Sequence, residues 1–410
     1  MFRKSSMEKG TQLAVSDIEV ALLTGGFDRP YALGLSRALV AKGVKLDVIG
    51  SKELDGPEMH EDPRLTFLDL YGDQRRRVAK PRKILQHIVS YGKLIWYTAT
   101  AKPRVFHILW NNKFKLFDRT ILMLYYKMLG KRIAFTAHNV NAGLRDGNDS
   151  TLNRLSLKAQ YRLVDHIFVH TDKMKQELLS DFGIKEERVS VIPFGINNSV
   201  PDRGMSPAEA KRKIGVESSH KVILFFGGIR PYKGLEYLVQ AFQKIAPKDQ
   251  SYRLVIAGEP KKEAVQYWKE IERAIESDPS RDQVIREIKY IADEDTEVYF
   301  KAADVLVLPY TLVFQSGVLF LSYSFGLPVV ATDVGSLRDD IIEGETGYLC
   351  HPCNVADLAT ALEEYFESSL YKELDSRRAR IKDFAERRNS WDIVSETTRG
   401  VYTQILACNS

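Results

Sequence analysis

The chain has 410 residues, 44% of them apolar and 28% charged, with a formal net charge of +5. That composition excludes collagen-like, low-complexity and largely disordered chains, and because one core stops growing near about 250–300 residues, two domains are expected. So small a cationic surplus does not by itself point to nucleic acid or to a membrane.

Cys350, Cys353 and Cys408 are too few and too late in the chain to form a disulfide framework, which fits a reducing cytosol. The first sixteen residues lack the apolar core of a signal peptide, and no stretch is apolar for about 18 residues. A cytoplasmic protein is expected, with residues 1–16 as a flexible tail.

From residue 17 onward, short β-branched runs alternate with helical patterns, as parallel strands with crossover helices require. IEVALL (18–23) is a strand running through Thr24, Gly25 and Gly26 into a helix over 30–42. Pro30 suits the first turn, where its missing N–H costs nothing. KLDVIG, RLTFLDL, RVFHILW, KRIAFTA and HIFVH supply further strands and 152–163 a helix.

Between Asp73 and Asp118 there is no acid, whereas Arg75, Arg76, Arg77, Lys80, Arg82, Lys83, Lys93, Lys102, Arg104, Lys113 and Lys115 supply eleven cations. Within this stretch Ile84, Leu85, Ile88, Tyr91, Ile95 and Trp96 share one helical face, with Lys83, Gln86, Ser90 and Lys93 around the other. Two readings fit: residues 74–104 lie on an anionic membrane surface, or the stripe packs on its own domain. RNA is not expected as a partner, since no recognition motif or interleaved stacking aromatics accompany the charge.

His107 lies inside RVFHILW and is expected in the core. His138 instead follows the strand KRIAFTA, with Asn141, Arg145 and Asp146 in the polar loop behind it. Ligands of open parallel sheets bind at the carboxyl ends of strands, so His138 is a candidate for contact with a sugar hydroxyl or a reacting centre. Asn141 and Arg145 fit either an acceptor contact or a solvated loop.

The Pro-, Gly- and Ser-rich segment near 196–206 reads as a linker. Beyond it KVILFF, YRLVIAG, VIREIKYI, DVLVLPY, LPVVAT and TGYLC form a second sheet, with helices over 234–246, 263–277, 316–325 and 355–368. The expected fold is α/β, with two Rossmann-like doubly wound domains over 17–200 and 201–390. Residues 391–410 form a helix returning to the first domain.

KVILFF runs into Gly227, Gly228, Ile229, Arg230, Pro231, Tyr232, Lys233 and Gly234 before an apolar helix. Glycine backbone, a helix N-terminus and two full cations suit a diphosphate; a plain tight turn with solvated cations is the alternative. DVLVLPY leads to Gln315, Ser316, Gly317 and Val318, with Ser316 as N-cap and Gln315 able to bond hydroxyls. Asp293-Glu294-Asp295 reads as polar loop and first-turn acids, and Cys350-His351-Pro352-Cys353 lacks a second pair to close a tetrahedral site, so no metal is expected.

These motifs in this order resemble the retaining nucleotide-sugar glycosyltransferases of family four. They are GG at 25–26, TAHNV at 136–140, VIPFGIN at 191–197, FFGGIRPYKGLEYL at 225–238, VIAG at 255–258, AADVLVLPY at 302–310 and FGLPVVATDVGSLRDDI at 325–341. The resemblance implies the GT-B fold, two domains facing a central cleft, the first taking the acceptor and the second the nucleotide sugar. It implies that Arg230 and Lys233 bind the donor diphosphate and that His138 lies near the reacting sugar. Gly25, Gly26, Gly228, Gln315, Ser316, Gly317 and Val318 are the further donor-binding candidates, and Asn141 and Arg145 the acceptor-binding ones.

Most members of that family carry two glutamates eight residues apart; here Val313 and Leu321 occupy those positions. The chain resembles a branch with Gln-Ser-Gly-Val at 315–318 in their place. The implied activity is metal-independent, needs no cofactor, and moves a sugar to a glycan or lipid-linked acceptor in exopolysaccharide or glycolipid assembly, in the cytoplasm or at the inner face of the plasma membrane. A nucleotide-sugar epimerase or sugar phosphorylase of the same fold, or a catalytically degenerate scaffold, are the alternatives.

Overall fold

The computed structural model describes residues 18–25, 28–74, 80–145, 149–196 and 200–407. Among the described residues, thirteen strands fall in two sheets. The first contains β1 (Glu19–Leu23), β2 (Lys45–Gly50), β3 (Leu65–Asp69), β4 (Val105–Ile108), β5 (Arg132–Thr136), β6 (His166–Val169) and β7 (Val189–Val191), in the order β3-β2-β1-β4-β5-β6-β7. The second contains β8 (Lys221–Phe226), β9 (Tyr252–Ala257), β10 (Val284–Glu287), β11 (Val305–Leu308), β12 (Val329–Thr332) and β13 (Gly347–Cys350), in the order β10-β9-β8-β11-β12-β13.

Every residue of β4, β6, β11 and β12 is buried. Strands covered by helices on both faces need continuous apolar runs, which is why these segments read without alternation. The edge strand β3 is exposed at Thr66 and Asp69. Helix α1 (Arg29–Ala41) starts where Asp28 accepts a hydrogen bond from the Tyr31 N–H at 3.2 Å, and Pro30 sits in its first turn.

Both sheets reverse strand order once, between β1 and β4 and between β8 and β11. Such a switch point separates two neighbouring strand-end loops and opens a crevice for ligand. In the second sheet it brings residues 227–234 beside residues 309–316, two segments that the sequence singled out separately.

The described residues form two compact units. One comprises those up to Thr136 with Ala159–Ile167 and Ser395–Ala407; the other comprises Ala137–Lys158 and Phe168–Val394. In the first unit His107 is fully buried, with Nδ1 2.6 Å from the Tyr402 hydroxyl and Nε2 2.8 Å from Thr136 Oγ1. Burial pushes this imidazole down to about 3, so it is neutral. Tyr402 belongs to the helix Trp391–Ala407.

Strand β7 and the helices Asp172–Phe182 and Leu374–Arg388 have no counterpart among the sequence-predicted elements. Three residues are too few to display a period, and the first helix buries only Met174, Leu178 and Phe182, one apolar contact per turn. Among the described residues no helix is long and apolar enough to cross a membrane.

Candidate active site

In the second unit the turn after β8 is locked by glycine. Gly234 has φ +64°, and a Cβ there would lie 1.9 Å from the Pro309 carbonyl oxygen, so only glycine lets the turn close on the end of β11. The Thr311 N–H donates to the Tyr232 carbonyl at 2.9 Å across the same contact. The result is that Lys233 is buried, its Nζ 5.6 Å from the centre of the Tyr310 ring. A Cβ on Gly227 would lie 3.1 Å from that Nζ and 3.8 Å from Val318 Cγ2. Gly227, Lys233, Tyr310 and Val318 therefore surround one point at the switch of the second sheet.

Gly228 faces a third cation that sequence reasoning missed. A Cβ on Gly228 would lie 3.0 Å from Lys261 Cε, because Ile229 and Pro260 pair as an isolated bridge and carry the loop after β9 alongside. Its only sequence signal is position, a few residues beyond the carboxyl end of β9. Arg230 is partly exposed and pairs with Glu263 at 3.7 Å.

Ser316 occupies the N-cap position of the helix Gly317–Ser324, but its hydroxyl makes no capping bond and lies 3.3 Å from the Tyr310 hydroxyl. The expected Ser316 cap is therefore corrected: the first-turn N–H groups, which carry the positive end of the helix dipole, are not closed off by that side chain. Gln315 donates from Nε2 to Asp340 Oδ2 at 3.3 Å, while its Oε1 is buried with no hydrogen-bond partner. Both line a cavity of about 580 Å³ with His170, Phe194, Arg388 and Asn389. Burial pushes the Asp340 carboxyl up to about 6. Val313 and Leu321, the positions of the family's glutamates, are buried in the apolar core.

His138 does not stand alone. Its Nδ1 lies 2.9 Å from Nε2 of His170, and Nδ1 of His170 lies 3.2 Å from the Ile192 carbonyl oxygen. A carbonyl only accepts, so His170 Nδ1 holds the proton; His170 is buried and pushed down to about 4, hence neutral, and its Nε2 is a bare acceptor. His138 must then donate from Nδ1, which leaves its Nε2 as an acceptor in the neutral ring. Sequence reasoning expected His138 to accept or donate; bonded in this pair, a neutral His138 ring offers Nε2 as an acceptor. Phe194 packs on both imidazoles and stacks on Phe320 at 5.4 Å and 12°, which ties the histidines to the Gly317–Ser324 helix. Neither His170 nor Phe194 was singled out from sequence, although both follow strands, β6 and β7, at the carboxyl end.

Asn141 is buried, and its amide is engaged at both ends: Nδ2 donates to Asp149 at 3.0 Å and Oδ1 accepts from Asn153 at 3.0 Å. Gly26, Asp146 and the side chain of Arg145 lie outside the described residues. Gly25 belongs to the first unit. It has φ +49°, and a Cβ there would fall 1.9 Å from the Trp110 carbonyl oxygen, so the loop after β1 presses on the loop after β4. The acids Asp293, Glu294 and Asp295 form the first turn of the helix Asp293–Ala302, where they complement its dipole.

Two doubly wound parallel sheets, with cations and glycine turns at one switch point, define the class as α/β of the GT-B type. The match extends to family models: residues 29–200 match "Glycosyltransferase Family 4" and residues 220–368 match "Glycosyl transferases group 1". Both halves of the chain are thus similar to glycosyltransferase family models.

An uncharacterized glycosyltransferase of Methanocaldococcus jannaschii is 28% identical over 264 residues, covering 63% of this chain and 65% of that protein. A D-inositol 3-phosphate glycosyltransferase of Pseudarthrobacter chlorophenolicus is 29% identical over 232 residues, covering 54% of this chain and 53% of that protein. These matches thus span between half and two thirds of each relative. HepE of Anabaena, solved in complex with UDP and glucose, superposes with a TM-score of 0.72 at 14% identity, covering 94% of this chain and 100% of that one.

Proposed function

We propose that the protein is a retaining, metal-independent glycosyltransferase that moves a sugar from a nucleotide-diphosphate sugar to a glycan or lipid-linked acceptor. The observation that carries this reading is the convergence of Gly227, Lys233 and the N-terminus of the Gly317–Ser324 helix at one switch point. A departing diphosphate needs fixed positive charge at that place, and preorganised groups of this kind are the largest catalytic contribution in such chemistry. The UDP held by HepE supports a nucleotide sugar as the donor.

On this reading Lys233, Arg230 and Lys261 neutralise the diphosphate as the bond from the anomeric carbon to the phosphate oxygen breaks. The acceptor oxygen bonds the same face of that carbon, and its proton passes to the departing phosphate oxygen. Retention is what the family resemblance implies. His138 Nε2 accepts from a sugar hydroxyl and orients the ring, while Gln315 Oε1 offers a second acceptor.

The test is incubation with a panel of UDP-, GDP- and ADP-sugars, with and without membrane extract, measuring released nucleotide. Transfer requires both donor and extract. Release from UDP-N-acetylglucosamine alone would indicate an epimerase, and no release from any donor would indicate a scaffold; either outcome refutes the proposal.

A further inference from the structure

Helix α2 (Lys80–Thr100) is turned inside out for a soluble protein. Its buried side carries Ser90, Leu94 and Thr98, whereas Ile88 is 57% and Trp96 73% exposed, with Ile84, Leu85 and Val89 exposed beside them. Of the stripe picked out in the sequence, Tyr91 packs on its own domain, whereas Ile84, Leu85, Ile88, Ile95 and Trp96 do not. The surface continues onto the helical stretch 115–128, where Leu116, Ile121 and Leu124 are exposed and Met128 is 84% exposed. The two segments are tied together: Tyr91 donates to Asp118 at 2.8 Å and stacks on Phe114, and Tyr125 donates to the Ile95 carbonyl at 3.0 Å. A contiguous apolar face of this kind marks an interaction site.

Charge decides what covers it. Arg82, Lys83, Lys93 and Lys115 are exposed on the same two segments and Lys113 just before the second, in a stretch without any acid between Asp73 and Asp118. Apolar side chains flanked by cations alone are complementary to an anionic bilayer surface. The inner side of α2 forms one wall of a cavity of about 290 Å³, at the strand ends of β1 and β2, lined among others by Ser51, Tyr71, His87, Tyr91, Lys113 and Lys115. Among the described residues no carboxylate lines it, and Ser51, 2% exposed, holds a hydroxyl without a hydrogen-bond partner there. One helix therefore separates an apolar outer face from a pocket that carries Lys113 and Lys115 at the switch point of the first sheet.

We propose that the face formed by α2 and residues 114–129 rests in the headgroup layer of an anionic bilayer. The cavity behind it receives the phosphate-bearing head of an amphiphilic acceptor from that bilayer. The acceptor half rests on the glycosyl-transfer reading; the docking half does not.

Flotation of the full chain with phosphatidylcholine vesicles, with and without phosphatidylglycerol, tests the docking. Binding is expected only with the anionic lipid. Lys83→Ala and Lys93→Ala should each weaken it by about five-fold, and Trp96→Glu and Met128→Glu should abolish it. Recovery of the parent in the soluble fraction with anionic vesicles overturns the proposal, as does a concentration-dependent dimer that Trp96→Glu dissolves. For the cavity, calorimetric titration compares a short-chain phosphatidate below its micelle concentration with inorganic phosphate. Preferential phosphatidate binding, weakened about ten-fold in Lys113→Ala, is expected; equal binding of inorganic phosphate, or no binding of either, overturns this part. Neither measurement involves turnover, and titration with a nucleotide sugar in the same cell shows separately whether the transferase reading stands.

Discussion

Replacing His170 by phenylalanine isolates the histidine pair. The ring is nearly isosteric, so its packing against Phe194 at 4.9 Å survives while the acceptor for His138 Nδ1–H, now 2.9 Å away, is removed. A neutral hydrogen bond is worth about 1 kcal/mol net, and a buried donor left without a partner costs about 1–3 kcal/mol. His138 then escapes by moving its proton to Nε2, where it no longer accepts from a hydroxyl. Turnover should fall by about 5- to 100-fold, since each 1.4 kcal/mol is about ten-fold. The KM for the nucleotide sugar should change little, because Lys233 and its neighbours are untouched.

His170→Gln should restore most of the activity, as the amide oxygen can accept from His138 and its N–H₂ can donate to Ile192. Initial-rate measurements on all three proteins, with nitrogen NMR to read the His138 tautomer, form the assay. Parental turnover in His170→Phe, or an equal loss in His170→Gln, would refute the argument. His170 is held down to about 4, so above that pH it stays an acceptor; as pH falls through about 4 it charges and becomes a donor. An acid limb of that origin should be absent from the His170→Phe profile.

Lys233→Ala should lower turnover by about 10² to 10³, the usual loss for one preorganised charge-stabilising group, as read by single-turnover nucleotide release; near-parental turnover would remove the assignment. Gly234→Ala should destabilise the second unit by at least about 2 kcal/mol, from a left-handed backbone and overlap with the Pro309 carbonyl, seen as a lower denaturant midpoint. Asp340, raised to about 6, binds its proton more tightly folded than unfolded, so it adds stability as pH falls from about 6 to about 4. Asp340→Asn lacks that gain: measured by denaturant titration, its stability relative to the parent should drop by up to about 3 kcal/mol between pH 7 and pH 4, and a pH-independent difference would contradict the assigned burial.

The second sheet was almost wholly legible, because strands such as VLVL and VVAT are buried on both faces and apolar throughout. The glycine turn at 227–234 was legible because glycines and cations stand immediately after a strand. Lys261 was not, since nothing local says that the loop after β9 folds back onto Gly228. His170 was hidden by its setting, the end of HIFVH, where a histidine reads as core; its role exists only through a neighbour 32 residues away. The orientation of α2 was also undetermined, because an amphipathic pattern fixes which residues share a face and not whether that face meets protein or solvent.

On the proposed reading, the absent glutamates bear on donor recognition more than on catalysis. Val313 and Leu321 sit in the core, so no carboxylate can be supplied there by a rotamer change. What the same loop offers instead is Gln315, whose N–H₂ is committed to Asp340, leaving the carbonyl oxygen buried and unpaired. A buried acceptor without a partner costs about 1–3 kcal/mol, and such groups persist where a ligand supplies the missing donor. An amide oxygen can receive a hydroxyl as a carboxylate does, but without the extra strength of a charged acceptor. On the proposed reading, a weaker grip on a sugar hydroxyl, with the diphosphate still held by lysines, is the chemical difference expected from this replacement.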